Sequence, residues 1–180
     1  MNRHPDNHEI HLPPRLAARP VDPRRGLPIP YVNEHDDGSV NFAVINGGRV
    51  LQCVRHRLCG LCGQPHERRI AFIGGPGGFH QRMYTDPPGH VDCMRSALDL
   101  CGYLAVERHR RRGLTEATAA PGFTDMEKAQ PVILAITRAY EVGLIGEPPA
   151  LLFLPARWTS ATRFDYADGR LTEIGPEPVP

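Results

Sequence analysis

The chain has 180 residues, which is enough for one sizeable domain or two small ones. Hydrophobic residues make up 41% and charged residues 23%, which is ordinary for a soluble globular protein. With a formal net charge of +1, the molecule as a whole has no strong electrostatic attraction to nucleic acid or to an anionic membrane.

Residues 1–30 are rich in proline, arginine and histidine and have little apolar periodicity. Closely spaced prolines exclude a regular helix or a central strand there, because proline lacks the backbone N–H that both would use. We therefore predict an extended arm over residues 1–30, lying along the surface of the domain.

Residues 31–106 are predicted to form the main folded core. Apolar residues at 31–32 and 40–44 flank an Asp-Asp-Gly turn, which indicates a β-hairpin. Helical spacing of apolar residues then predicts a short helix over residues 48–58. That helix leads directly into the first of two cysteine-containing motifs.

The second half of this core alternates strand and helix patterns. Residues 68–73 read as a strand, the glycine-rich run at 74–78 as a loop, and residues 79–84 as the return strand. An amphipathic helix follows from about residue 90, with Cys101 on its apolar stripe. Cys101 and Cys53 are therefore expected in the core.

Residues 107–123 form a basic stretch and a linker, and residues 124–180 a C-terminal unit packed on the core. A second helix is predicted, beginning either at the Thr124–Glu127 capping box or at Pro131. Its buried face would carry Val132, Ile133, Ile136, Ala139 and Tyr140. A strand over 151–154 and a hairpin about Asp168-Gly169 complete the chain.

Two short motifs carry the clearest chemical signal in the chain. Cys59 and Cys62 form one i, i+3 pair, and His90 and Cys93 form another. Two such pairs of soft donors are what a tetrahedral zinc site requires. The sequence therefore predicts one structural Zn²⁺ per chain, bound by these four residues.

The placement of these pairs resembles that of a treble-clef zinc finger: a CxxC knuckle, a β-hairpin, and a helix whose first turn supplies two ligands. The resemblance implies an α+β fold built on a treble-clef-like core, with flanking β-hairpins and a second helix. Two substitutes for His90 remain open at this stage, His66 just after the knuckle and Cys53 on the preceding helix.

A closed site of four protein ligands leaves no position for water, so the metal is structural by default and we expect a binding or regulatory module. Its partner would be nucleic acid or another protein, and no membrane is implied. Arginines near the metal motifs are candidate phosphate or partner contacts: Arg55, Arg57, Arg68, Arg69, Arg110, Arg111 and Arg112.

The alternative is a metal-dependent enzyme, such as an HNH-like nuclease or another hydrolase. The treble clef resembles the core of HNH nucleases, in which a general-base histidine and an asparagine serve a second metal site. His80 lies near the place of such a base, but no asparagine follows Asn46.

As a whole, the chain resembles a family of small uncharacterised proteins of GC-rich bacteria and their phages. The resemblance rests on the Arg25–Tyr31 run, the Leu58–Gly63 knuckle, the Ala71–Pro76 run, and the Asp86–Cys93 run with Cys101 further on. It implies that the four proposed ligands belong together, and it implies no activity. Five cysteines without an export signal lead us to expect a cytoplasmic protein.

Overall fold

The structure is a computed structural model that describes residues 12–107, 129–147 and 149–180. Most of the predicted basic stretch and linker, including Arg110, Arg111 and Arg112, lies outside these residues, as does the capping box at Thr124–Glu127. Among the helices that are described, none has the length and apolar character needed to cross a membrane.

The described residues form a mixed α+β fold, as the sequence predicts. The helices are α1 (Pro14–Ala17), α2 (Gly47–His56), α3 (Pro76–Gln81), α4 (Val91–Leu100) and α5 (Gly102–Ala105), and a 3₁₀ turn covers Tyr31–Asn33. The strands are β1 (Val21–Asp22), β2 (Leu27–Pro28), β3 (Ile70–Gly74), β4 (Gly89–His90), β5 (Val132–Thr137), β6 (Tyr140–Ile145), β7 (Ala150–Pro155), β8 (Ser160–Ala167) and β9 (Arg170–Pro176).

A five-stranded antiparallel sheet of order β4-β3-β5-β8-β9 organises the molecule. The strands β6 and β7 form a separate two-stranded ribbon, as do β1 and β2. Strand β3 pairs with β5 from Ile70–Thr137 to Gly74–Ile133. The sheet thus joins strands that the sequence analysis assigned to two different segments.

Strand β5 lies at the centre of this sheet and is buried on both faces. Ile133 and Ala135 face a cluster that includes residues of α2 and α3, whereas Leu134 and Ile136 face a cluster that includes residues of α4. Alternate side chains of one strand therefore enter two separate apolar layers. This arrangement explains why residues 132–136 of the strand are all hydrophobic.

The predicted second helix near Pro131 is wrong, because residues 132–137 form β5. A strand buried on both faces lacks the alternation of apolar and polar residues that marks a half-buried strand. A short continuous apolar run can then be read with helical spacing equally well. Tyr140, assigned to the same helix, begins β6.

The predicted return strand at residues 79–84 is also wrong. Pro76 begins helix α3, where the missing N–H costs nothing, and the glycine-rich run thus enters a helix instead of a loop. Phe79 on this helix is fully buried and stacks on Trp158, with ring centroids 5.7 Å apart. The return strand is β4, which pairs with β3.

The predicted hairpin at residues 31–44 is reduced to one bridge, between Glu34 and Val40. The Asn33 side chain donates hydrogen bonds to the carbonyls of Asn41 and Val44, so side-chain bonds take the place of a strand ladder. The helix predicted over 48–58 is confirmed as α2, and the C-terminal hairpin about Asp168-Gly169 as β8 and β9.

We expect Leu134→Ala to lower the free energy of unfolding by about 2–5 kcal/mol, because it opens a cavity at a fully buried position of the central strand. The matched control is Leu144→Ala, since Leu144 is 71% exposed and its truncation should change stability by less than about 0.5 kcal/mol. Urea unfolding of both variants measures this, and equal losses would contradict the assigned core.

Candidate metal centre

The structure brings the two predicted motifs together in the interior. One ligand atom from each of Cys59, Cys62, His90 and Cys93 lies within 4.8 Å of all the others, and all four residues are buried. His90 Nδ1 is 3.3 Å from Cys62 Sγ and 4.0 Å from Cys93 Sγ. This group could hold a metal ion.

The first pair is presented by a tight turn at the end of α2. Arg57 ends that helix in a left-handed backbone conformation, and a bridge between Leu58 and Pro65 closes the loop. Inside the loop, the Gly63 N–H donates to the Cys59 carbonyl at 2.9 Å. Gly63 has φ +74°, and a Cβ there would meet the Tyr31 ring at 2.6 Å, so this position requires glycine.

The second pair is presented by the start of α4. His90 is the N-cap of this helix, and Cys93 lies in its first turn, so both side chains can face one point. The Gly60 N–H donates to the Pro88 carbonyl at 3.0 Å. This bond joins the knuckle directly to the segment that leads into α4.

The hydrogen bonding of His90 identifies which of its two ring nitrogens could bind a metal. Nε2 lies 3.0 Å from the Pro65 carbonyl, which can only accept, so Nε2 carries the proton and donates. Nδ1 is therefore the nitrogen that faces the sulfur atoms, and it is the one that could bind a metal. A backbone carbonyl that orients a histidine in this way is the usual outer contact of a metal-binding imidazole.

Two distances between the donor atoms lie close to those around a tetrahedral metal. Bonds of about 2.3 Å to sulfur and about 2.0–2.1 Å to nitrogen place neighbouring ligand atoms roughly 3.5–3.8 Å apart. The two distances from His90 Nδ1, 3.3 and 4.0 Å, lie on either side of this range. Three thiolates and one imidazole are a donor set that suits zinc.

The electrostatics of the cluster favour a cation. Burial raises the pKa of Cys59, but hydrogen bonds from Cys62, Cys93 and His90 outweigh it and hold that pKa well below its ordinary value. Burial alone would lower the pKa of His90, but its hydrogen bonds with the Cys59 and Cys62 sulfurs raise it to about 10. A thiolate is thus favoured at Cys59 even among the protein groups alone, whereas hydrogen bonds with the other two cysteines raise the pKa of Cys93.

The N-terminal segment covers this centre, a contact that the sequence analysis did not identify. Leu16, on the single helical turn α1, is 4% exposed and packs against Cys59, Cys62 and Cys93. Arg15 forms ion pairs with Glu67 at 2.7 Å and Asp92 at 3.4 Å. The one available signal was an apolar Leu-Pro-Pro-Arg-Leu run inside an otherwise polar arm.

Neither proposed substitute for His90 belongs to the group of donor atoms. His66 Nε2 lies 3.3 Å from the Pro88 carbonyl, and burial lowers the pKa of this histidine. Cys53 is fully buried in the apolar core, as predicted, and burial raises its pKa to about 12. Cys101 was expected in the core but is exposed, because α4 ends at Leu100.

The arginine candidates differ in environment. Arg55, Arg68 and Arg69 are exposed. Arg57 has a packing role, since its guanidinium lies 4.3 Å from the Tyr140 ring centroid and donates to the Tyr140 carbonyl at 3.0 Å. His80, the candidate base of the nuclease alternative, is exposed on α3 rather than placed on a strand beside the cysteines.

Comparison with known proteins adds no relative. Neither protein-family models, nor curated proteins, nor solved structures give a match to this chain. The chemistry of the site therefore has to be argued from its own residues.

Gly89→Ala tests how tightly the centre is packed. A Cβ at position 89 would lie 3.0 Å from Cys59 Sγ and 2.9 Å from Met94 Cε. We expect a loss of about 1–3 kcal/mol in unfolding free energy and weaker retention of metal against a chelator. The matched control is Gly77→Ala, where a Cβ meets nothing within 4 Å. Full metal retention in Gly89→Ala would contradict the close approach of residue 89 to the Cys59 sulfur.

Proposed function

We propose that Cys59, Cys62, His90 and Cys93 bind one structural Zn²⁺ per chain in a treble-clef-like module. On this proposal the protein is a binding or regulatory module rather than an enzyme. The zinc supplies folding free energy, on the order of 10 kcal/mol for small zinc modules. The surface around the knuckle then binds a nucleic-acid or protein partner.

One observation carries the zinc assignment: four soft donors converge in the interior with the second nitrogen of His90 already bonded to a carbonyl. Four protein ligands complete a tetrahedral shell and leave no position for substrate or water. The order of elements also supports the treble-clef interpretation, because the knuckle is followed by the antiparallel strands β3 and β4, with α3 between them, and then by α4.

The binding role is supported by what surrounds this closed site. Leu16 seals the centre from one side, so the chemistry of the metal would not be presented to a ligand. Exposed arginines flank the knuckle at Arg55, Arg68 and Arg69. A rigid metal-held turn with cationic side chains beside it suits recognition of an anionic partner.

Zinc content and thermal unfolding of four single variants test the ligand set. We expect Cys62→Ser and His90→Ala to lose zinc and to unfold well below the wild type, because each leaves three ligands. The matched controls Cys53→Ser and His66→Ala alter the two neighbours outside the donor group and should keep one zinc per chain.

Treatment of the wild type with a strong chelator should lower its unfolding temperature, and added Zn²⁺ but not Mg²⁺ should restore it, because thiolates prefer the softer ion. Unchanged unfolding after complete zinc removal would show that the metal is not structural. Loss of zinc in Cys53→Ser or His66→Ala, with retention in His90→Ala, would overturn the ligand set.

A further inference from the structure

Arginines from four parts of the chain meet at one end of the central sheet, and the structure assigns this surface a partner. We propose that it binds the phosphate backbone of a double-stranded nucleic acid. The inference rests on the proposed function, because the metal-held knuckle positions half of these residues. We call the surface the arginine end; its members are Arg55, Arg57, Arg68, Arg69, Arg138 and Arg157.

Strand register and one hydrogen bond place three of these residues in neighbouring segments of the fold. Ile70 and Thr137 are the last pair of β3 and β5, so Arg69 and Arg138 occupy the next position beyond it. The Thr137 hydroxyl donates to the Arg157 carbonyl at 3.1 Å, which brings Arg157 alongside Arg138. Neighbouring strands lie about 4.8 Å apart, so the backbones of Arg69, Arg138 and Arg157 fall within roughly 10 Å of one another.

The metal knuckle adds the remaining members. The His66 N–H donates to the Arg57 carbonyl at 2.9 Å, which sets residues 67–69 beside the end of α2. Arg57 itself lies against Tyr140, two residues from Arg138. Arg55 and Arg68 are exposed and lie close to these residues along the chain, two positions before Arg57 and one before Arg69. Two sequence segments more than sixty residues apart thus form one basic surface.

The positive charge of this surface is left largely uncompensated. Within residues 12–107, 129–147 and 149–180, no carboxylate forms an ion pair with Arg55, Arg68, Arg69, Arg138 or Arg157. The nearby Glu67 is already paired with Arg15 at 2.7 Å, and Glu141 is the remaining acidic neighbour along the chain.

Two arginines at the other side of the sheet, Arg163 on β8 and Arg95 on α4, are each paired with an acid. Arg163 contacts Asp165 at 3.2 Å, and Arg95 contacts Glu173 at 2.9 Å. The formal net charge of +1 therefore conceals an uneven distribution. A planar guanidinium can bind a phosphate through two parallel hydrogen bonds, which makes unpaired arginines the side chains suited to a phosphate backbone.

A duplex fits this surface better than a single strand. Binding of single strands depends on exposed aromatic rings that stack on bases. The aromatic residues between the two ligand pairs, Phe72, Phe79 and Tyr84, are 1%, 0% and 7% exposed. Tyr140 is 3% exposed and lies beneath Arg57. Without exposed rings for base stacking, this surface can contact a nucleic acid only through its phosphates, and such contacts suit a duplex.

Fluorescence anisotropy with a short DNA duplex and an RNA duplex of the same sequence tests the proposal. The patch variant combines Arg69→Gln, Arg138→Gln and Arg157→Gln. The matched control combines Arg24→Gln, Arg95→Gln and Arg163→Gln, which removes the same number of arginines elsewhere. Zinc content and unfolding temperature are measured on every preparation.

We expect the wild type to bind a duplex with steep salt dependence and the patch variant to bind at least about tenfold more weakly at about 50 mM salt. The slope of log K against log salt should become shallower by about 0.9 for each B-DNA phosphate that the variant no longer neutralises, and the control should match the wild type. The two duplexes distinguish DNA from RNA as the preferred partner.

Folded, zinc-loaded protein that binds neither duplex would overturn this inference and favour a protein partner, while leaving the proposed zinc module standing. Equal weakening in the patch and control variants, or tighter binding of a single strand than of a duplex, would also overturn it. Protein that lacks zinc would instead refute the proposed function.

Discussion

The side chains of Cys59, Cys62, His90 and Cys93 meet in the interior, where an unneutralised charge costs several kcal/mol. Thiolates packed this closely repel one another unless a cation lies among them. A divalent metal there would remove that repulsion and crosslink the turn after α2 to the first turn of α4. The backbone hydrogen bond from the Gly60 N–H to the Pro88 carbonyl joins the same two segments.

The rest of the described fold extends from this junction. Strand β3 begins eight residues after Cys62, and β4 ends at His90. The proposed ligands therefore lie at both ends of the segment that forms the antiparallel β3–β4 pair at the edge of the central sheet. Strand β5 then pairs with the other edge of β3 and carries both apolar layers. Arg68 and Arg69 lie between Cys62 and the first residue of β3. If the proposed metal is bound, stability and the proposed binding surface therefore depend on one site.

The sequence predicted the elements whose patterns are local. Helix α4 and the two ligand pairs are examples, because spacing along the chain decides both. Residues 132–137 were misread as a helix, since burial on both faces of β5 removes the alternation that marks a strand. The cover formed by Leu16 and the pairing of Arg69 with the region of Arg138 depend on contacts between distant segments, which local spacing does not encode.

The central claim concerns the atoms that hold the metal, and X-ray absorption at the zinc edge of the purified protein tests it most directly. The account predicts one zinc per chain with three sulfur neighbours at about 2.3 Å and one nitrogen neighbour at about 2.0–2.1 Å. A shell of four sulfurs, a shell containing oxygen, or protein that folds without zinc would contradict it.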